Sequence, residues 1–93
     1  MKYTIKFTSQ FKKDVKRAKK QNKNIDLLFS VIEKLANNEI IDKKFKEHKL
    51  SGKFNGIIEC HIESDFLLEY QYFDNELILM CIRAGSHSEL FKI

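Results

Sequence analysis

The 93-residue chain has no proline, no tryptophan, three glycines and two cysteines. Lacking proline and nearly lacking glycine, it reads as compact secondary structure joined by short turns. No apolar stretch approaches the ~20 residues that span a bilayer. The opening Met1-Lys-Tyr-Thr-Ile-Lys-Phe7 lacks the apolar core of a signal peptide. A cytoplasmic location is therefore expected. A Gly-rich phosphate loop and a Gly-x-Ser-x-Gly elbow are both missing, which argues against the nucleotide-binding and serine-hydrolase motifs. Cys-x-x-Cys and other metal-ligand spacings are missing too. Cys60 and Cys81, each inside an apolar run, thus read as small core residues, and no metal or cofactor is expected. With no repeats, linkers or low-complexity segments, residues 1–93 read as one domain.

What is present is ordinary for a soluble globular protein, with 43% hydrophobic and 32% charged residues. Seventeen Lys and Arg against 13 Asp and Glu give a formal net charge of +4. That balance leans towards an acidic or polyanionic partner.

Residues 3–7 alternate apolar and polar and predict a first strand. Thr8 or Ser9 can cap a helix in which Phe11, Val15 and Ala18 form a narrow apolar stripe. Lys12, Lys13, Lys16, Arg17, Lys19 and Lys20 lie opposite it, as a solvated face or as a ridge able to neutralise phosphates. Asn24 predicts the cap of a second helix, with Ile25, Leu28, Phe29, Ile32, Leu35 and Ala36 on a broader apolar face that ends near Asn37-Asn38. Residues 39–56 are the least regular and bring more lysine, including Lys49 and Lys53. Three strands come next: Ile57–Glu63, then Phe66–Phe73, then the wholly apolar Leu77–Ile82, which suits a central strand. The first two join at Ser64-Asp65, the second and third at Asp74-Asn75. The fold class is α+β, ordered β-α-α-β-β-β: a four-stranded sheet with two N-terminal helices packed on one face. The other face, carrying Glu59, His61, Glu69 and Arg83, is expected to lie open to a ligand.

The chemistry gathers between His61 and His87. Pairing the last two strands as a hairpin sets Asp65 beside Arg83 and His87 at one end of a rigid sheet. Histidine exchanges protons near neutral pH, and arginine offers a charged fork that fits phosphate. Metal-free RNA cleavage needs such a set: a base for the 2′-hydroxyl, a cation for the crowded phosphorane, and an acid for the departing 5′-oxygen. Phe66 and Phe91 are candidates to stack on a base, with core packing the other reading of each. Lys49, Lys53, Lys13 and Lys16 are candidates to hold the RNA backbone.

Several spaced motifs carry a resemblance. They are Ser9-x-Phe11-x-Lys13-Asp14, His48-Lys-Leu-Ser-Gly52, Gly56 leading to Cys60-His-Ile-Glu-Ser-Asp-Phe66, and Arg83-Ala-Gly-Ser-His-Ser-Glu-Leu-Phe91. In this order they resemble the RelE/ParE superfamily of bacterial toxin–antitoxin toxins, most of all its YafQ-like branch. The resemblance implies a RelE-like fold and a ribosome-dependent endoribonuclease that cuts mRNA in the A site. It also implies control by a cognate acidic antitoxin, with operator DNA met only through the antitoxin complex. Carried over by position, the functional histidines are His48, His61 and His87. Asp65 is the acidic residue, Arg83 the phosphate-binding arginine and Phe91 the late aromatic. Ser64 and Phe66 stand where close relatives commonly have Pro and Trp, and Phe lacks an indole N–H donor. The competing readings are a ParE-like gyrase inhibitor, which needs no histidine cluster, and a plain nucleic-acid-binding module.

Overall fold

A computed structural model describes residues 2–91. Strand β1, Thr4–Phe7, is followed by helices α1, Ser9–Lys20, and α2, Ile25–Ala36. Then come a two-residue strand β2, His48–Lys49, and the longer strands β3, Ile58–Glu63, β4, Phe66–Phe73, and β5, Ile78–Gly85. A single helical turn, α3, His87–Leu90, closes the described chain.

Local chemistry sets the helix ends where the sequence placed them. The Thr8 hydroxyl, not Ser9, accepts the Phe11 N–H at 2.9 Å, and the Asn24 side chain accepts the Leu27 N–H at 3.0 Å. Each satisfies a backbone donor that has no partner within its own helix. The α2 stripe Leu28, Ile32, Leu35 and Ala36 is fully buried, together with Phe11 and Ala18 of α1. It packs on Cys60, Leu68, Tyr70, Leu79 and Cys81 from the sheet. Both cysteines are free and buried, and burial pushes each thiol up to about 12. That is the core role read from their apolar runs.

Among the described residues the sheet has five strands in the order β1-β5-β4-β3-β2, one more than the sequence predicted. The added strand is β2, where His48 pairs with Glu59 and Lys49 with Ile58. Two residues are too few to carry a period-2 signal, so alternation could not reveal it. β5 lies inside the sheet as expected, antiparallel to β4 and parallel to β1. The first and the last strand of the chain are therefore neighbours.

β1 is shorter than β5. Its pairing ends at Phe7 opposite Cys81, leaving the outer edge of β5 without a strand beyond that point. The Thr8 hydroxyl donates to the Ile82 carbonyl at 2.7 Å. Asp14 accepts the Ala84 N–H at 3.0 Å, and Arg17 donates to the Ala84 carbonyl at 3.0 Å. Side chains from the start of α1 thus finish the ladder that β1 leaves incomplete.

Candidate active site

Cross-strand register assembles the site. His48, Glu59, Glu69 and Arg83 stand opposite one another across β2, β3, β4 and β5. Paired residues share a face, so the four side chains form one row on the face away from the helices. Two positions along, roughly 7 Å by strand rise, His61, Leu67 and Gly85 form the next row. His87 comes after them at the start of α3, whose N-cap is Ser86. The Ser86 hydroxyl accepts the Glu89 N–H, and the Glu89 carboxylate accepts the Ser86 N–H. This capping box fixes the turn that carries His87. Gly85 stands just before it, where a Cβ would lie 2.8 Å from Arg17 Nη2 and 2.9 Å from Glu89 Oε1, so that the ends of those two side chains would have to shift.

The three histidines come together. The ring centres of His48 and His61 are 6.1 Å apart, and those of His61 and His87 are 5.6 Å apart. Asp65 Oδ1 lies 3.0 Å from both the backbone N and Nδ1 of His87. Those hydrogen bonds hold the Asp65 carboxyl below the usual carboxylate range. A carboxylate only accepts, so Nδ1 of His87 carries the hydrogen and Nε2 is left to face a ligand. His48 is tied at both nitrogens, Nδ1 to the Lys46 carbonyl at 2.8 Å and Nε2 to Glu59 Oε1 at 3.1 Å. Of the three, His61 is the one for which no hydrogen bond ties the ring down among the described residues.

Phe91 is half-buried with its ring 6.4 Å from that of His87 and edge-on to Phe54 at 5.6 Å. Lys53 reaches over the Phe54 ring, and Lys49 is exposed next to His48. These residues border the histidines. Lys13 and Lys16 are exposed on α1. Lys16 lines a different groove, with Phe7 and Phe29.

Two expectations need correcting. Phe66 is fully buried in the core and cannot stack on a base, because its alternation places it on the helix-covered side of β4. Nor is the helix-free face open throughout: Glu59 is 3% and Glu69 4% exposed, and Leu67 is fully buried. Burial, with Glu59 beside it, pushes the Glu69 carboxyl up to about 7, and the opposing pull of Arg83 is weaker.

Arg83 is placed on this face but is not free. Its Nε and Nη2 donate to Asp14 at 2.8 and 3.3 Å. Asp14 is wholly buried, and Gln10 and Arg17 also reach it at 3.1 and 3.2 Å. Burial alone would raise the Asp14 carboxyl. Hydrogen bonds from Arg83, the Ala84 N–H and Gln10 outweigh that and hold it below its ordinary value. The fork leaves the Nη1 hydrogens of Arg83 to meet a phosphate. Sequence reasoning gave Asp14 no role in the site, although an acid set between Phe11 and Ala18, at helical spacing, was the signal.

One donor set was invisible along the chain. His48, Glu59 and His61 each offer a ligand atom, all within 4.8 Å of one another. Glu59 Oε2 is buried without a partner among the described residues. Two imidazoles and a carboxylate suit zinc or copper.

Residues 3–92 match the profile of the bacterial toxin of type II toxin–antitoxin systems, YafQ. The chain belongs to this family. The mRNA interferase toxin YafQ of Escherichia coli K12 is 34% identical over 88 residues, 94% of each chain. The structure is similar to that of YafQ in the E. coli DinJ–YafQ complex, with a TM-score of 0.86 and 33% identity over 96% of this chain and 98% of that one. It is also similar to a metal-bound toxin from Helicobacter pylori, with a TM-score of 0.90 and 39% identity over 96% and 99%. The α+β architecture expected from the sequence is thus the architecture of the family.

Proposed function

We propose that this chain, as one domain over residues 1–93, is a ribosome-dependent endoribonuclease that cuts mRNA in the A site and so halts translation in the cytoplasm. The observation that carries this reading is the run of three imidazoles, with Asp65 fixing the tautomer of the third. Its similarity to an mRNA interferase over nearly the whole length supports it.

The roles follow from which nitrogens are free. His61 removes the proton from the 2′-hydroxyl, and the resulting alkoxide attacks the adjacent phosphorus. Arg83, through the N–H groups that Asp14 leaves unused, stabilises charge on the phosphorane. Nε2 of His87 delivers a proton to the departing 5′-oxygen, and Asp65 stabilises the imidazolium that donates it. With its carboxylate engaged by His87, Asp65 is an orienting partner and not the base. His48, held by Glu59, flanks His61 and orients substrate. Phe91, Lys49 and Lys53 bind the RNA strand. The same geometry makes His48, Glu59 and His61 the residues that would hold a metal, which when bound supplies Lewis acidity. His61 cannot ligate an ion and take a proton at the same nitrogen, so the proposed cleavage runs on side chains alone.

An acidic antitoxin holds the chain inactive, as the complex of the E. coli relative with DinJ suggests. The test is primer extension on a defined mRNA in a purified translation system, comparing wild type with His87→Ala and Arg83→Ala. The expected result is discrete cuts in ribosome-occupied codons, lost in both variants. Translation arrest with intact mRNA in all three would instead mark a binder that blocks the ribosome.

A further inference from the structure

His61 opens onto a cleft that the proposed roles leave unused. The cleft exists because β2 is short. Beyond the pair of His48 with Glu59, no strand covers the outer edge of β3 among the described residues. Residues 61–64 of that edge form one wall, and Lys44 and Lys46 stand on the rim. Leu27 of α2, with buried Phe45 and Ile62, makes an apolar floor. The volume is about 480 Å³, within the range of sites that enclose a small ligand and enough for one nucleotide. Lys46 has a φ of 50°, the left-handed conformation that a non-glycine residue adopts only against a steric penalty. That backbone turn aims the Lys46 carbonyl at His48 Nδ1, 2.8 Å away, while the residue lines the cleft. Glycine would serve such a turn with less strain, so what lysine adds there is its ammonium group. Neither Lys44 nor Lys46 makes a salt bridge among the described residues.

We propose that this cleft binds the nucleotide on the 5′ side of the cut, with Lys44 and Lys46 holding the phosphate at that nucleotide's own 5′ end. The inference rests on the nuclease reading and gives its substrate a direction. The 2′-hydroxyl that attacks belongs to the upstream nucleotide, and the 5′-oxygen that leaves belongs to the downstream one. His61, which takes the first proton, lines the cleft. His87, which gives the second, has the Phe91 ring 6.4 Å away. The two imidazoles, 5.6 Å apart, flank one phosphodiester. The strand therefore runs 5′ to 3′ from the cleft, past His61 and His87, to Phe91. Two successive phosphates meet two separate sets of cations: the lysines hold the first and Arg83 the second, at which the chain is cut.

An open sheet edge also invites a peptide strand. The rim of the cleft favours the nucleotide. Its two ammonium groups face one carboxylate, Glu63, which already accepts the Asn24 N–H at 3.1 Å. A paired peptide would need no cations there, whereas a phosphate does. The cleft is also continuous with His61, so whatever fills it lies against the group that starts the reaction.

The test reads kcat/KM for a defined mRNA in the purified translation system. The proteins compared are wild type, Lys44→Gln/Lys46→Gly and, as a control that removes the same charge from α1, Lys12→Ala/Lys19→Ala. Glycine accepts the left-handed backbone at position 46, so the carbonyl stays on His48. Each protein is given ordinary mRNA and two mRNAs with a single uncharged methylphosphonate. One carries it at the phosphate 5′ of the upstream nucleotide, the other at the phosphate 3′ of the downstream nucleotide. On ordinary mRNA the cleft variant is expected to lose about 10-fold or more, as loss of charge-assisted contacts does, and mainly through KM. The α1 control stays near wild type. The upstream methylphosphonate is expected to lower wild type by a similar factor and the cleft variant no further, while the downstream one lowers both alike. Wild-type activity in the cleft variant would overturn the proposal and leave the open edge of β3 to a peptide strand. An equal loss in the α1 control would overturn it too, by reducing the effect to overall charge. So would a cleft variant that feels the upstream methylphosphonate as wild type does, or that is insensitive only to the downstream one, which would reverse the strand. Ordinary mRNA left intact by wild type would remove the nuclease reading itself, an outcome visible before any variant is compared.

Discussion

Asp14 of α1 and Arg83 of β5 meet through two parallel hydrogen bonds of 2.8 and 3.3 Å, with the carboxylate wholly buried and the guanidinium partly exposed. The pair joins structure to chemistry: Asp14 also closes the edge of β5 through the Ala84 N–H. Removing one member of a buried pair leaves the other charge uncompensated, at about 3–5 kcal/mol. Asp14→Ala is therefore expected to lower stability by that order, as read from urea denaturation. An unchanged midpoint would mean that Arg83 and Ala84 find other partners.

The same carboxylate makes stability depend on pH. The Asp14 carboxyl is held below its ordinary value in the folded chain. A depressed folded pKa contributes stability that is fully present above the unfolded value, about 3.9. It is lost as pH falls from there through the folded value. The stability gap between wild type and Asp14→Asn is thus expected to be full near neutrality and to close below about pH 4. A gap constant down to pH 3 would count against ionised Asp14 as its source.

Asp65→Asn tests the orienting role. The Asn side-chain oxygen can still accept the His87 backbone N–H, so the turn should survive with little change in Tm. The imidazolium loses its counter-charge, and cleavage should fall by about 10²-fold or more. Near-wild-type cleavage would leave His87 without need of Asp65.

Arg83→Ala should cost more activity than Phe91→Ala, since charge on the phosphorane is met only by the arginine. Phe91→Ala should act mainly on KM, as loss of a stacking surface does. Arg83→Lys should recover part of the rate but little of the Asp14 fork. Equal, small losses from both alanine variants would undo the assignment.

Cleavage should persist after exhaustive EDTA treatment, because every proposed proton transfer uses a side chain. Added zinc or copper should inhibit by occupying His48, Glu59 and His61, and Glu59→Gln should weaken that inhibition. Loss of cleavage on chelation, restored by one metal, would reverse this view.

What the sequence revealed depended on the range of each signal. Thr8, Asn24 and the α2 stripe act over a few residues; both caps stand where spacing placed them, and so do Leu28, Ile32, Leu35 and Ala36, but Phe29, read onto the same apolar face, is 38% exposed. The histidines and Asp65 were legible because their types are chemically uncommon and the motifs around them specific. Asp14, Glu59 and Glu69 were misjudged because acids are normally exposed. Their burial depends on partners up to 70 residues away, such as Ala84 for Asp14. Phe66 was placed with the ligand because it adjoins Asp65, yet alternation along β4 turns it into the core.

The parallel pairing of β1 with β5 also bears on how the chain is made. Thr4 finds its partner only once Ile78 exists, and His87, the proposed proton donor, comes later still. Contacts so distant along the chain form late and slowly. A nascent polypeptide therefore carries its first two histidines past the ribosome without the third, and without the arginine. On the proposed reading, the chain can cut mRNA only after nearly all of it has been made.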